Sequence, residues 1–494
     1  MAGERKRADA RSLHTPYSIL HTRAQRGVTT MLVIAFMGIF LLIMGTITSY
    51  IFEQAKYGRA LYSREQALSI AEAGLEYYRW FLAHNPNNLT NGTGLPGPYT
   101  YTVSDPEGGT LGSASISVAG NSQCGVIQSI DITSQGASDS NTTFKRTLLG
   151  RYMRRSVAAY SYLLNSNVWA GADRAITGQY FSNGGIRMDG SNNSDVSSAL
   201  TTWNCTSSYG CSPAVNPAAG VLGSGSGSAL WHNSAASIDF AGIATSLTNL
   251  KTYAQTGGGL YFAPSTGSVN SRGYHMIFKS NGTVDVYRVT GTTGITGYPD
   301  GSTATTEYNI IATQNLLGNY TVPSGCRLIF VEDRVWVEGV VSGKVTIVAA
   351  TPSDTGTTPY VILPNNLTYA TNDGTAGFTA ISESDVLIPL NSPNVMEIHG
   401  IFVAHNGRYG RNHYTTSSLI SQWDPYVLRS QLTTVGTIVS SGRTGTKWIN
   451  TSTGVTTSGY QTRIDAYDQL QATDPPPFTP SASTDYSYVL WREQ

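Results

Sequence analysis

From Val28 to Phe52 the chain runs for 25 residues without a charge. As an α-helix this stretch is about 37 Å long, enough to cross a bilayer core with some tilt. A soluble core helix of that length would carry charged or strongly polar positions along one face, and this stretch carries no charge at all. The expectation is one transmembrane helix over 28–52, with Met31, Leu32, Ala35, Phe40, Leu42 and Ile47 among its spanning residues. Residues 1–27 hold Arg5, Lys6, Arg7, Arg11, Arg23 and Arg26 against Glu4 and Asp9, whereas the other flank mixes both signs. An excess of cations marks the cytoplasmic side, so 1–27 reads as a cytoplasmic basic leader and everything after Phe52 as extracytoplasmic. A cleaved secretory signal is the competing reading, but the apolar run is long for one and no small-x-small site follows it.

Residues 53–85 continue without a strong break. Leu61, Leu68, Ala71, Leu75, Tyr78 and Leu82 recur at helical spacing, and Arg64, Glu65, Glu72, Glu76 and Arg79 occupy the opposite face. This predicts an amphipathic stem helix that buries one stripe and stops before Asn85-Pro86.

A basic leader ending Arg26-Gly27, then an uncharged helix, then Ala71-Glu72-Ala73-Gly74-Leu75-Glu76-Tyr77-Tyr78 resembles the N-terminal segment of PilX-type minor pilins of type IV pilus systems. The resemblance covers about residues 22–85. It implies peptidase cleavage between Gly27 and Val28, insertion in membrane lipid, and partnership with other pilin-like subunits and the pilus assembly machinery. Ordinary major pilins place a glutamate at the fifth mature position; here that position is Leu32. This departure points to a minor, initiating or tip subunit rather than a bulk filament subunit.

Beyond the stem the composition changes the argument. Charged residues are 13% of the chain, Gly numbers 52, and Ser, Thr and Asn supply most surface polarity. Such a chain suits short strands with many turns. Segment 86–153 alternates as short strands and reads as a small pilin-like antiparallel sheet laid on the stem. Over 154–460 a cassette of apolar residues around a glycine recurs: Ile176–Ile186, Val337–Val345, Ile398–Gly407 and Val435–Gly442. This predicts a β-solenoid or β-helix-like body, with a β-sandwich as the alternative. A helix is expected near 239–254 and a hairpin over 274–289 around Asn281-Gly282. The insert 290–320 reads as irregular surface chain, and 461–494 as an irregular C-terminal strap carrying Asp474-Pro475-Pro476-Pro477.

Cys205 and Cys211 close a short loop and can form a disulfide outside the cytoplasm; Cys124 and Cys326 have no such local partner. Asp189, Asn193 and Asp195 concentrate oxygen donors as a calcium loop would, although turn chemistry explains the same residues. His399, His405 and His413 lie close in sequence without the spacing of a standard metal site. Glu332, Asp333, Glu338, Glu383 and Asp385 could supply a glycosidase pair. No nucleotide-binding, HExxH or GxSxG motif occurs, no cofactor is indicated, and the chain reads as non-enzymatic. Its 31 basic and 31 acidic residues leave no electrostatic footprint for nucleic acid. The 29 Tyr and 8 Trp suit recognition of a surface glycan or protein. The function expected is a membrane-anchored, pilin-like surface protein with an adhesive or structural β body. The alternatives are an anchored polysaccharide-degrading enzyme and a scaffold for secretion or pilus assembly.

Overall fold

The computed structural model describes residues 26–243, 246–352 and 359–494; the basic leader lies outside them, apart from Arg26 and Gly27. The chain divides into two compact units, Met1–Gln66 and Ala67–Gln494. One helix, Arg26–His84, belongs to both. It ends where expected, because Pro86 has no N–H to continue the ladder. In the first unit Val28, Leu32, Phe40, Leu42 and Ile47 are exposed, and Met31 is 77% exposed. A helix so apolar and so uncovered is suited to lipid rather than water.

In the second unit the stem half of the helix lies on a five-stranded antiparallel sheet. Its strands are Tyr99–Ser104, Thr110–Gln123, Val126–Ser138, Asn141–Ser156 and Ser481–Glu493, hydrogen-bonded in that order. Ala67, Ile70, Ala71, Leu75, Tyr78 and Leu82 are buried against Ala114, Ile116, Ile130, Ile132 and Leu148. Each large apolar side chain buried this way contributes roughly 1.5–3 kcal/mol relative to exposure. Leu68 packs at the margin. Leu61, expected on the same stripe, is instead exposed: it falls in the first unit, and the stem residues that meet the sheet lie between Ala67 and Leu82. Close approach needs two glycines. A Cβ on Gly136 would stand 2.1 Å from the Ala67 carbonyl oxygen, and one on Gly74 would stand 2.3 Å from the Ser134 hydroxyl.

The C-terminus corrects the expectation of an irregular tail. Residues Thr456–Ala466 form a strand of the body, and Ser481–Glu493 is the edge strand of the stem's sheet. The Tyr488 hydroxyl donates to the Leu75 carbonyl (2.6 Å), so the last strand also holds the helix. Only 474–480 is a strap. There Asp474 pairs with Arg151 (2.6 Å) and Lys344, and Phe478 is buried.

The body is built largely on parallel strand pairing. Strands Leu260–Phe262, Leu328–Val331, Lys344–Ala349, Gly377–Ser382, Val395–Ala404 and Leu428–Ser440 form one ladder. The ladder continues through Tyr160–Leu164, Gln179–Ser182, Val196–Ser198 and Trp231–His232. The chain therefore enters mid-stack at Tyr160, runs to one end, crosses to the other end at Leu260, and returns to meet its own beginning. Both faces of this sheet are buried. One face, with Ile329, Ile347, Phe402, Ile438 and Tyr162, fills the interior of the stack. The other, with Phe330, Val348, Ile401 and Val439, is covered by Phe240, Leu250 and Phe478. Two of the expected cassettes lie in neighbouring parallel strands, with Gly400 opposite Gly436. Gly436 has φ +124°, and a Cβ there would stand 2.2 Å from the Gly400 carbonyl oxygen.

The Asn281-Gly282 hairpin forms, but its second strand runs on. Thr283–Gly297 and Thr305–Thr321 make a long antiparallel pair where irregular chain was expected. The helix expected over 239–254 is two helices, Phe240–Ile243 and Leu247–Thr256. Ser246 caps the second by accepting from the Asn249 N–H, a start signal inside the apolar pattern. Both cysteine pairs are disulfides: Cys205–Cys211 closes the local loop, and Cys124–Cys326 joins residues 202 apart.

Candidate functional site

Gly27 and Val28 lie exposed in the first turns of the long helix. Among the described residues nothing beyond the helix's own backbone and Gly27's chain neighbours comes within 4 Å of a Cβ placed at Gly27. On the stem, Tyr78 is fully buried. Its hydroxyl donates to the Asn88 carbonyl (3.0 Å) and accepts from the Asn91 N–H (3.3 Å), and burial pushes its pKa up to about 12. Tyr77, one residue earlier, stacks on Tyr101 with ring centroids 4.5 Å apart. Adjacent helical positions diverge by about 100°, so the two tyrosines serve different parts of the sheet.

The calcium candidates take up other work. Asp189 accepts from the Trp169 indole (2.8 Å), the Arg187 guanidinium (2.7 Å) and Ser224 (backbone 3.0 Å). Asp195 faces His232, and Asn193 accepts from Ser194. Of the histidines, His399 pairs with Glu397 and His413 meets the Trp448 ring at a tilt, while His405 is half-buried beside Glu383. Among the described residues no three His, Cys, Asp or Glu side chains gather as metal ligands. The carboxylates considered as a glycosidase pair are held separately. Glu332 binds Lys251 and Tyr261, Asp333 binds Ser265 and Arg272, and Glu338 faces His275. Glu383 caps Thr351, and Asp385 accepts from the Arg408 N–H.

The arrangement with the features of a binding site lies elsewhere, in a cavity of about 570 Å³ on the body. Trp169 and Trp448 line it, with Arg408, Arg443, Lys447 and Arg463 as cations and Asp173, Asp189 and Asp300 as carboxylates. The topology assembles them from segments spread along the chain. Trp169 comes from strand Val168–Ala170 and Asp173 from the turn after it. Trp448 comes from Lys447–Ile449, Arg463 from Thr456–Ala466, and Asp300 from the tip of the long hairpin. Asp173 binds Arg463 (2.8 Å) and Lys447 (3.1 Å). Burial raises its pKa, but these two cations outweigh that and hold it at about 2. The N–H groups of Thr303 and Ser302 hold Asp300 well below the carboxylate range. The Cys205–Cys211 loop packs behind two of the lining side chains, Trp169 and Arg443. Gly210, at φ +80°, lies flat against the Trp169 ring, and Ser208 and Tyr209 hold Arg443 through its N–H (2.7 Å) and its planar face.

Of these pocket residues Asp189 alone was singled out from sequence, and as a calcium candidate. The signal available was charge clustered around tryptophan in a chain poor in charge: Trp169-Ala-Gly-Ala-Asp173 and Arg443…Lys447-Trp448. A larger cleft, about 970 Å³, runs along the 474–481 strap. Four cations line it: Arg151 and Lys344 are neutralised by Asp131 and Asp474, Arg154 lies over the Tyr486 ring, and Arg327 completes the set.

Neither a scan of known protein families nor a search of curated proteins finds a match to this sequence. Among solved structures, the chain is similar to the competence-associated pilin ComZ from Thermus thermophilus. The identity is 11%, the match covers 87% of this chain and 97% of that one, and the TM-score is 0.31. That score is too low to establish a common fold.

Proposed function

We propose that this chain is a membrane-anchored, pilin-like cell-surface protein, a minor or tip subunit of a type IV pilus-like system. Its β body is adhesive and faces outward. The observation that carries this reading is the single helix Arg26–His84, whose uncharged half suits lipid and whose stem half is buried on a small sheet. Two disulfides support an oxidising, extracytoplasmic location for the body, since cytosolic thiols are kept reduced. The charge asymmetry around Val28–Phe52 supports an N-terminus inside and a single-pass anchor in the cytoplasmic membrane. The resemblance over residues 22–85 supplies the expected partners, other pilin-like subunits and the assembly machinery.

Protease added to intact spheroplasts tests the topology: the body should be digested, and its full protection would refute the reading. Mass spectrometry of membrane-extracted protein should find a start at Val28. A start at Met1 or Ala2 would leave a signal-anchored surface protein without pilin processing. Turnover of an oligosaccharide by the body would replace the adhesive role with that of an anchored enzyme.

A further inference from the structure

We propose that the Trp169–Trp448 cavity binds an anionic saccharide, a sugar chain bearing carboxylate or sulfate groups. The proposal rests on the surface reading only for where the saccharide is met, not for the cavity's capacity to bind it. A sugar ring offers an apolar C–H face and a rim of hydroxyls, so its site needs aromatic walls beside planar charged groups. This cavity supplies both, with two tryptophans among carboxylates and guanidinium groups, and its volume suits a small saccharide unit.

The preference for an anion follows from which charges are already satisfied. Each of the three carboxylates is engaged within the protein: Asp173 by Arg463 and Lys447, Asp189 by Trp169, Arg187 and Ser224, and Asp300 by its own turn. The cations are less balanced. Arg443 is exposed and held by neutral groups, the Ser208 carbonyl and the Tyr209 ring, which leaves its fork open to a planar anion. Arg408 donates to the neutral Asn412 side chain. Burial pushes Arg408 below the ordinary guanidinium range, and Arg463 the same way despite its pairing with Asp173. An incoming carboxylate or sulfate supplies the missing counter-charge. The Cys205–Cys211 loop then has a function, because it presents Arg443 at the rim and backs Trp169 with Gly210. A nucleic acid strand is disfavoured. The chain carries equal numbers of acids and bases, and the cavity is a pocket with three carboxylates rather than a long cationic track.

The test uses the full chain in detergent, titrated by calorimetry with oligogalacturonate, heparin-derived oligosaccharide and neutral dextran oligosaccharide. At least one anionic probe should bind saturably and about tenfold or more tighter than dextran, the scale of one charge-assisted hydrogen bond. The preferred anionic probe distinguishes carboxylate from sulfate. Arg443→Ala, at an exposed position, should weaken that binding about tenfold or more while leaving the melting temperature unchanged. Trp448→Ala, checked for folding by the same melt, should weaken it as well. Four results would overturn the proposal: equal binding of dextran, anionic binding that both variants leave intact, tighter binding of a single-stranded oligonucleotide, or no binding of any probe. Spheroplast proteolysis is scored separately. An external body that binds nothing refutes this inference alone, and a binding body located inside the cell refutes the surface reading alone.

Discussion

The Cys124–Cys326 disulfide joins the turn between the second and third strands of the stem's sheet to the parallel body, across 202 residues. Removing it frees a very long loop in the unfolded chain. For a loop of that length the chain-entropy argument assigns about 5 kcal/mol to the crosslink, against about 2 kcal/mol for the loop closed by Cys205–Cys211. Non-covalent links at the same junction survive its loss. The Cys124 N–H donates to the Gly325 carbonyl (2.8 Å), and the Gln123 side chain accepts from the Arg327 N–H (3.0 Å). Both cysteines are buried, so alanine at each introduces little strain. The double variant Cys124→Ala/Cys326→Ala should therefore lose roughly 2–5 kcal/mol, the usual range for a native disulfide. The assay is guanidinium unfolding of the full chain in detergent, followed by tryptophan fluorescence, beside the parent and Cys205→Ala/Cys211→Ala. A loss under ~1 kcal/mol, or a larger loss from opening the small loop than the large one, would refute the reasoning, because loop entropy orders them the other way.

Leu75→Asp puts an unpaired carboxylate where a leucine is buried, and should cost several kcal/mol in the same unfolding assay; a parent-like melt with lost partner assembly would make the stripe an assembly surface instead. Gly136→Val drives a side chain into the Ala67 carbonyl and should destabilise by roughly 1–3 kcal/mol, read as a lower denaturation midpoint. Asp173 sits at about 2 in the folded protein against an ordinary 3.8, so it adds stability above that ordinary value which is lost as pH falls toward 2. An acid titration of the melting temperature should accordingly be flatter for Asp173→Asn than for the parent over that window.

The helix was legible because its signals are local. An uncharged run sets where it can lie in lipid, a 3.6-residue stripe sets what it buries, and Asn85-Pro86 ends it regardless of context. The Asn281-Gly282 turn and the glycine cassettes were legible for the same reason, since backbone conformation and side-chain alternation are carried by neighbours in sequence. Leu61 shows the limit of such a pattern: periodicity marks a face, but only the extent of the sheet decides how much of that face is covered. The strand Ser481–Glu493 was invisible because an edge strand with one open side needs little apolar alternation, and its partner lies more than 300 residues earlier. The stacking order was likewise undecided, since Tyr160–Leu164 pairs with Leu428–Ser440 only once both coils exist. The cavity depends most on tertiary structure. Trp169, Asp300, Arg443, Trp448 and Arg463 are ordinary polar and aromatic residues in their own segments. They become a site only because parallel stacking brings distant turns to one place, a loop-closure cost met by burial over the whole body rather than by any local signal.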